Sequence, residues 1–117
     1  MSDNFSKALN YQKELRSIIN DGITITVNNK NFTLNPNTIM YLEQQRSFGK
    51  EKIAFHADGE LCMEYTDDEM QEIFNEYTHK INILTEEANT LAWSTVHIDK
   101  SEEKISLRDI LKEKGLI

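Results

Sequence analysis

Cysteine, proline and tryptophan each occur once in 117 residues, and glycine only four times. A lone Cys62 forms no internal disulfide, which excludes the small secreted domains held by disulfide frameworks. No low-complexity segment interrupts the chain, and its length leaves no room for a second full domain. No uncharged stretch, Ala88 to Ile98 included, comes near the ~20 consecutive apolar residues that cross a bilayer. Asp3, Lys7 and Lys13 interrupt any signal-peptide core. The expectation is a single small domain of cytoplasmic or virion type, without a membrane partner.

Charge is present but unevenly placed. The net charge is −7, and the segment Ile53–His79 holds eight acids and no Lys or Arg, while the other residues carry 12 acids against 13 bases. The acids are Asp58, Glu60, Glu64, Asp67, Asp68, Glu69, Glu72 and Glu76. Direct binding to a nucleic-acid backbone is disfavoured, and a basic partner surface fits. The plainer reading is that acids gather where the N-terminus of a helix favours them.

Apolar spacing organises the chain as α+β. Phe5, Leu9, Leu15, Ile18 and Ile19 recur at helical spacing after a cap at Ser2 or Asp3, and Gly22 stops that helix. Ile23, Ile25 and Val27 then alternate with threonines, Asn28-Asn29 tolerates positive φ, and Phe32 and Leu34 resume the alternation. This is a hairpin over about 23–34. A two-residue turn pairs Ile25 with Phe32, and a four-residue turn at 28–31 keeps the same face, so the register stays open by two. Asn35-Pro36 starts a short helix through Ile39, Met40 and Leu42, closed by Phe48-Gly49.

A second hairpin spans about 52–65 around Asp58-Gly59. Placing Ile53, Phe55, Leu61 and Met63 on one face selects a three-residue loop, Ala57-Asp58-Gly59, with Phe55 opposite Leu61 and Ile53 opposite Met63. That register sets Lys52 against Glu64 and His56 against Glu60. The two hairpins are expected to join in one small sheet. Thr66 and Glu69 form a capping box for a long amphipathic helix over about 67–98, with a seam of Met70, Phe74, Tyr77, Ile81, Leu84, Ala88, Leu91, Thr95 and Ile98. At 1.5 Å per residue such a helix is ~45 Å long, so part of it should project beyond the sheet and require a partner. Asp99 to Lys104 is a charged link, and Ser106 caps a last helix through Leu107, Ile110 and Leu111 that Gly115 ends. The reading is one domain: an N-terminal helix at 1–21, a core at 22–98, and a linker with C-terminal helix at 99–117.

Each chemical candidate has a plainer reading. His56 and Cys62 become diagonal neighbours in the expected register, but a cysteine nucleophile also needs an oriented base and an oxyanion site, so a half-buried structural cysteine is preferred. Glu76 and His79 make one Glu-x-x-His step, whereas di-iron bundles need two and further carboxylates. Ser101 to Lys104 matches Ser-x-x-Lys without its companion motifs. Asp68 and Glu72 lie one helical turn apart without calcium-loop spacing. No catalytic residue, metal ligand or cofactor is expected. Trp93 points away from the seam with Val96 and His97 beside it, next to Leu91, and these four are the expected partner-binding residues. The expected acidic surface is Asp58, Glu60, Asp67, Asp68, Glu72 and Glu76.

The hairpin Thr24–Thr33, the short helix, the second hairpin with Asp58-Gly59, and an acid-led helix carrying His79, Ile81, Leu84 and Glu87 resemble a small tail-associated domain of unknown function. That domain occurs in tail-fibre assembly proteins and minor tail proteins of tailed bacteriophages. The resemblance covers about residues 22–96. It departs at Asn28-Asn29, where relatives carry Asp-Gly, and at Phe55, where they carry Trp. It implies a non-enzymatic tail structural or assembly protein that contacts other phage proteins or itself, as a homo-oligomer, without binding nucleic acid. The alternative is a small acidic phage-encoded inhibitor, a nucleic-acid mimic for a host protein.

Overall fold

A computed structural model describes the backbone of residues 2–95 and 106–117 and the side chains of 9–91 and 106–117. The order is α1 (Ser2–Asp21), β1 (Ile23–Val27), β2 (Lys30–Leu34), α2 (Pro36–Ser47), β3 (Lys52–Phe55), β4 (Met63–Thr66), α3 (Asp67–Thr95) and α4 (Leu107–Glu113). The class is α+β, with two antiparallel hairpins and one long helix, as the apolar spacing predicts. Residues 96–98 of the expected long helix and the link 99–104 lie outside the described residues. The chain divides into two compact units, Met1–Ile19 with Ile81–Ile117, and Asn20–Lys80.

Local chemistry explains most element ends. Asn28 and Asn29 both take positive φ, 52° and 64°, so the first hairpin closes on the two-residue turn whose twist matches its strands. That settles the open register in favour of Ile25 opposite Phe32 and Thr24 opposite Thr33. Asn35 Oδ1 accepts the Thr38 N–H at 2.8 Å, with Pro36 next to the cap. Thr66 and Glu69 complete their box: the Glu69 N–H donates to Thr66 Oγ1 at 3.2 Å, and the Thr66 N–H donates to Glu69 Oε1 at 3.0 Å.

The second hairpin forms in a different register from the expected one. Phe55 lies opposite Met63, Ile53 opposite Tyr65 and Lys52 opposite Thr66, so Ala54 rather than Lys52 faces Glu64. The ladder has slipped by two residues, which leaves every side chain on its face and replaces Leu61 by Tyr65 as the buried member. An aromatic ring removes more apolar surface from water than a leucine, so this slip is favoured. The turn chemistry agrees. The Glu60 N–H donates to the Ala57 carbonyl at 3.1 Å around Gly59 at φ 74°, which is a type II turn, and that turn splays strands instead of continuing their ladder. His56 and Cys62 therefore sit in a loop over 56–62, not as cross-strand neighbours, and Cys62 is exposed, not half-buried.

The hairpins also do not merge. Among the described residues each keeps its own two-stranded ladder, and Asp58 links them. Its N–H donates to the Asn31 carbonyl at 2.8 Å, while its carboxylate accepts the Thr33 N–H at 3.1 Å and the Thr33 hydroxyl at 2.6 Å. Asp58 thus bonds one carbonyl and one N–H on the outer edge of β2, as a single residue of a neighbouring strand would.

In the unit Asn20–Lys80, Ile23, Ile25, Phe32, Leu34, Leu42, Ile53, Tyr65, Met70, Ile73 and Phe74 are buried. Phe32 is central, stacked on Phe55 at 6.0 Å and edge-on to Tyr65 at 5.9 Å between ring centroids. In the other unit, Leu15 and Ile18 of α1, Leu84 and Ala88 of α3, and Leu107 and Leu111 of α4 are buried. Glu14 there accepts the Leu107 N–H at 3.1 and 3.2 Å, and Lys114 pairs with Glu87. The stretch of α3 expected to project in search of a partner thus has α1 and α4 in its own unit, and its seam at Leu84 and Ala88 is already covered.

Candidate functional site

The exposed apolar side chains of the unit Asn20–Lys80 fall in two places. On α2 and its C-cap Phe48, Met40 is 67%, Tyr41 54% and Phe48 64% exposed. Tyr41 and Phe48 are seven residues apart and share one helix face, while Leu42 alone of the helix is fully buried. At the end of the loop before β4 and at the first residue of that strand, Leu61 is 88% and Met63 45% exposed, the reverse of the core role expected for both. The four consecutive apolar residues Ile39–Leu42 carried a usable signal: at 100° per residue they surround the helix, so some must face water.

The end of α2 is tied to α3 through Arg46. Arg46 donates to Asp67 from Nε to Oδ1 at 2.7 Å and from Nη2 to Oδ2 at 3.1 Å, reaches Gln71 Oε1 at 3.0 Å, and lies over the Phe74 ring at 5.2 Å. A two-point fork of this kind fixes direction as well as distance. The exposed Tyr41 and Phe48 are therefore presented on an anchored helix, which lowers the ordering cost of a contact.

All six residues expected to form the acidic surface are exposed, but four are partnered. Asp58 is held by Thr33, Asp67 by Arg46, Glu60 lies 3.6 Å from Lys30, and Glu72 accepts from Asn28 Nδ2 at 3.3 Å. Asp68 and Glu76 have no ion-pair partner among the described residues. The acidic segment therefore does as much internal stapling as outward display. The expected partner-binding set is only partly placed: Leu91 is part-buried, and Val96, His97 and the side chain of Trp93 lie outside the described residues.

Among the described residues, two carboxylates have lowered pKa values. The Asp67 pKa is lowered by its hydrogen bond to Arg46, and the Glu69 pKa by the Thr66 N–H and hydroxyl. Lowered in the fold, each stabilises above its unfolded value, and the contribution is lost as pH falls through the folded one. Urea midpoints are expected to drop below about pH 4, with a shallower drop in Asp67→Asn/Glu69→Gln. An acid limb of unchanged steepness in that variant would contradict the assignment.

One cleft of about 60 Å³ lies among Val27, Lys30, Phe32, Met63, Tyr65, Glu69 and Ile73. It has room for a few waters, not for an ordinary substrate. The Tyr65 hydroxyl is buried without a hydrogen-bond partner among the described residues, an arrangement that costs stability. Tyr65→Phe is accordingly expected to raise stability by about 1 kcal/mol, read from the urea midpoint, and a loss of that size would show that the hydroxyl is satisfied. No group of three or more His, Cys, Asp or Glu among the described residues could hold a metal ion, and no described helix is long and apolar enough to cross a membrane.

No family model matches the chain, and no curated protein or solved structure matches it.

Proposed function

We propose that this chain is a non-enzymatic bacteriophage protein of the tail, structural or acting in tail or tail-fibre assembly, that works through contacts with other phage proteins or with itself. The observation that carries the contact role is the anchored α2 face with Tyr41 and Phe48 in water, because aromatic side chains on rigid supports are preferred anchors of protein interfaces. Leu61 and Met63 add a second apolar contact, flanked by Glu60 and Glu64, which selects a partner carrying basic residues around an apolar centre. Leu91, Trp93, Val96 and His97 form the remaining proposed contact segment. The tail assignment rests on the resemblance of residues 22–96. Its site of action is the virion, or the host cytoplasm during assembly.

Deleting the gene from the phage that carries it tests the reading. Electron microscopy is expected to show heads without complete tails or fibres. Complete, infectious particles in normal yield would refute it.

One observation favours a second reading. Asp68, Glu72 and Glu76 form an exposed acidic stripe one helical turn apart on α3, which suits a decoy for a nucleic-acid-binding host protein. Replacing Asp68, Glu72 and Glu76 by Lys separates the two: a decoy loses its target, while docking through α2 is retained.

A further inference from the structure

The four strands differ in what they offer at their outer edges. The two-residue turn at Asn28-Asn29 makes Val27 and Lys30 a hydrogen-bonded pair, and alternation then makes Thr24 with Thr33, and Thr26 with Asn31, the pairs whose backbone groups point outward. On β2 two of the four outward groups are taken, since the Asn31 carbonyl and the Thr33 N–H bond to Asp58. On β1 the outward N–H and carbonyl groups of Thr24 and Thr26 have no partner among the described residues, and both residues are exposed.

Composition sets β1 apart as well. Folded proteins blunt open edges with charge, proline or a bulge. β2 carries Lys30, β3 Lys52 and β4 Glu64, whereas β1 reads Ile-Thr-Ile-Thr-Val without charge, proline or bulge. Two copies of a chain with net charge −7 repel across most of their surface. The uncharged edge is where they approach at least electrostatic cost.

We propose that the outer edge of β1 is a self-association site, pairing antiparallel with β1 of a second copy about a two-fold axis at Ile25. The sheet becomes continuous in the order β2-β1-β1-β2. Gly22 at φ 123° and Asn28 at φ 52° leave the extended conformation at the two ends of the strand. Only the register with Thr24 opposite Thr26 of the second copy therefore pairs both threonines, giving about four inter-chain backbone hydrogen bonds. Threonine suits such a ladder because β-branched residues favour the extended backbone. This inference gives the homo-oligomer of the proposed function its interface; its failure would be read from mass in solution, while failure of the tail assignment would be read from particles.

Sedimentation velocity on the full chain, from micromolar to about 1 mM, tests it. The wild-type chain is expected to reach twice its 13.6 kDa mass. Thr24→Pro removes an outward N–H that the internal ladder does not use, a place where a strand tolerates proline, and should weaken the dimer at least tenfold with an unchanged circular dichroism spectrum. Thr24→Lys/Thr26→Lys sets like charges opposite each other and should do the same should the proline variant fail to fold. A wild-type chain that stays at 13.6 kDa throughout overturns the proposal, as does a dimer that both variants leave intact.

Discussion

Phe32→Ala is expected to lower stability by about 3–5 kcal/mol, the range for removing a phenylalanine from a packed core. The ring is 2% exposed and touches an aromatic from each strand of the second hairpin, Phe55 on β3 and Tyr65 on β4. The two ladders share no strand-to-strand pairing, so these ring contacts stand in for the hydrogen bonds of a continuous sheet. Against the ~5–15 kcal/mol of a typical domain, the loss is a large share of the stability. Phe32→Leu, which keeps most of the apolar volume, should cost distinctly less. Urea unfolding followed by tyrosine fluorescence measures both, and equal costs would mean that the aromatic geometry contributes nothing.

Asp58→Ala is expected to cost about 1–2 kcal/mol, two partly exposed hydrogen bonds to a charged acceptor after discounting for water. Its own N–H still reaches the Asn31 carbonyl, but the Thr33 N–H and hydroxyl lose their acceptor. Amide exchange at Thr33 should accelerate about tenfold, the equivalent of 1.4 kcal/mol. The outward N–H of Thr33 on β2 is then open to pairing, and the variant should aggregate more readily than the wild-type chain. Asp58→Asn retains one acceptor and should fall between the two. An alanine variant with unchanged Thr33 exchange would show that the carboxylate is not what closes this edge.

Much of the fold was written in short-range chemistry. Asn28-Asn29, Asn35-Pro36, the Thr66 and Glu69 pair, and Ser106 each announce a turn or cap by side-chain type alone, and each stands where its residues predict. The register of the second hairpin was not legible for a definite reason. A slip of two preserves the alternation of faces, so the pattern is indifferent between Leu61 and Tyr65, and tertiary burial decides. Asp58 was readable as a turn residue and as an acid, but not as a clasp on Thr33, because nothing local couples positions 25 residues apart. The exposed face of α2 escaped notice because Met40, Tyr41 and Phe48 look like core by type, and only Leu42 is fully buried.

The contact function of the anchored apolar face is tested by infectious titre after complementing a deletion of the gene with Tyr41→Ser/Phe48→Ser. Both side chains are more than half exposed, so the variant should fold, which circular dichroism verifies. The wild-type gene is expected to restore titre, and this variant to leave it at least tenfold lower. Full restoration by the folded variant would contradict the contact function.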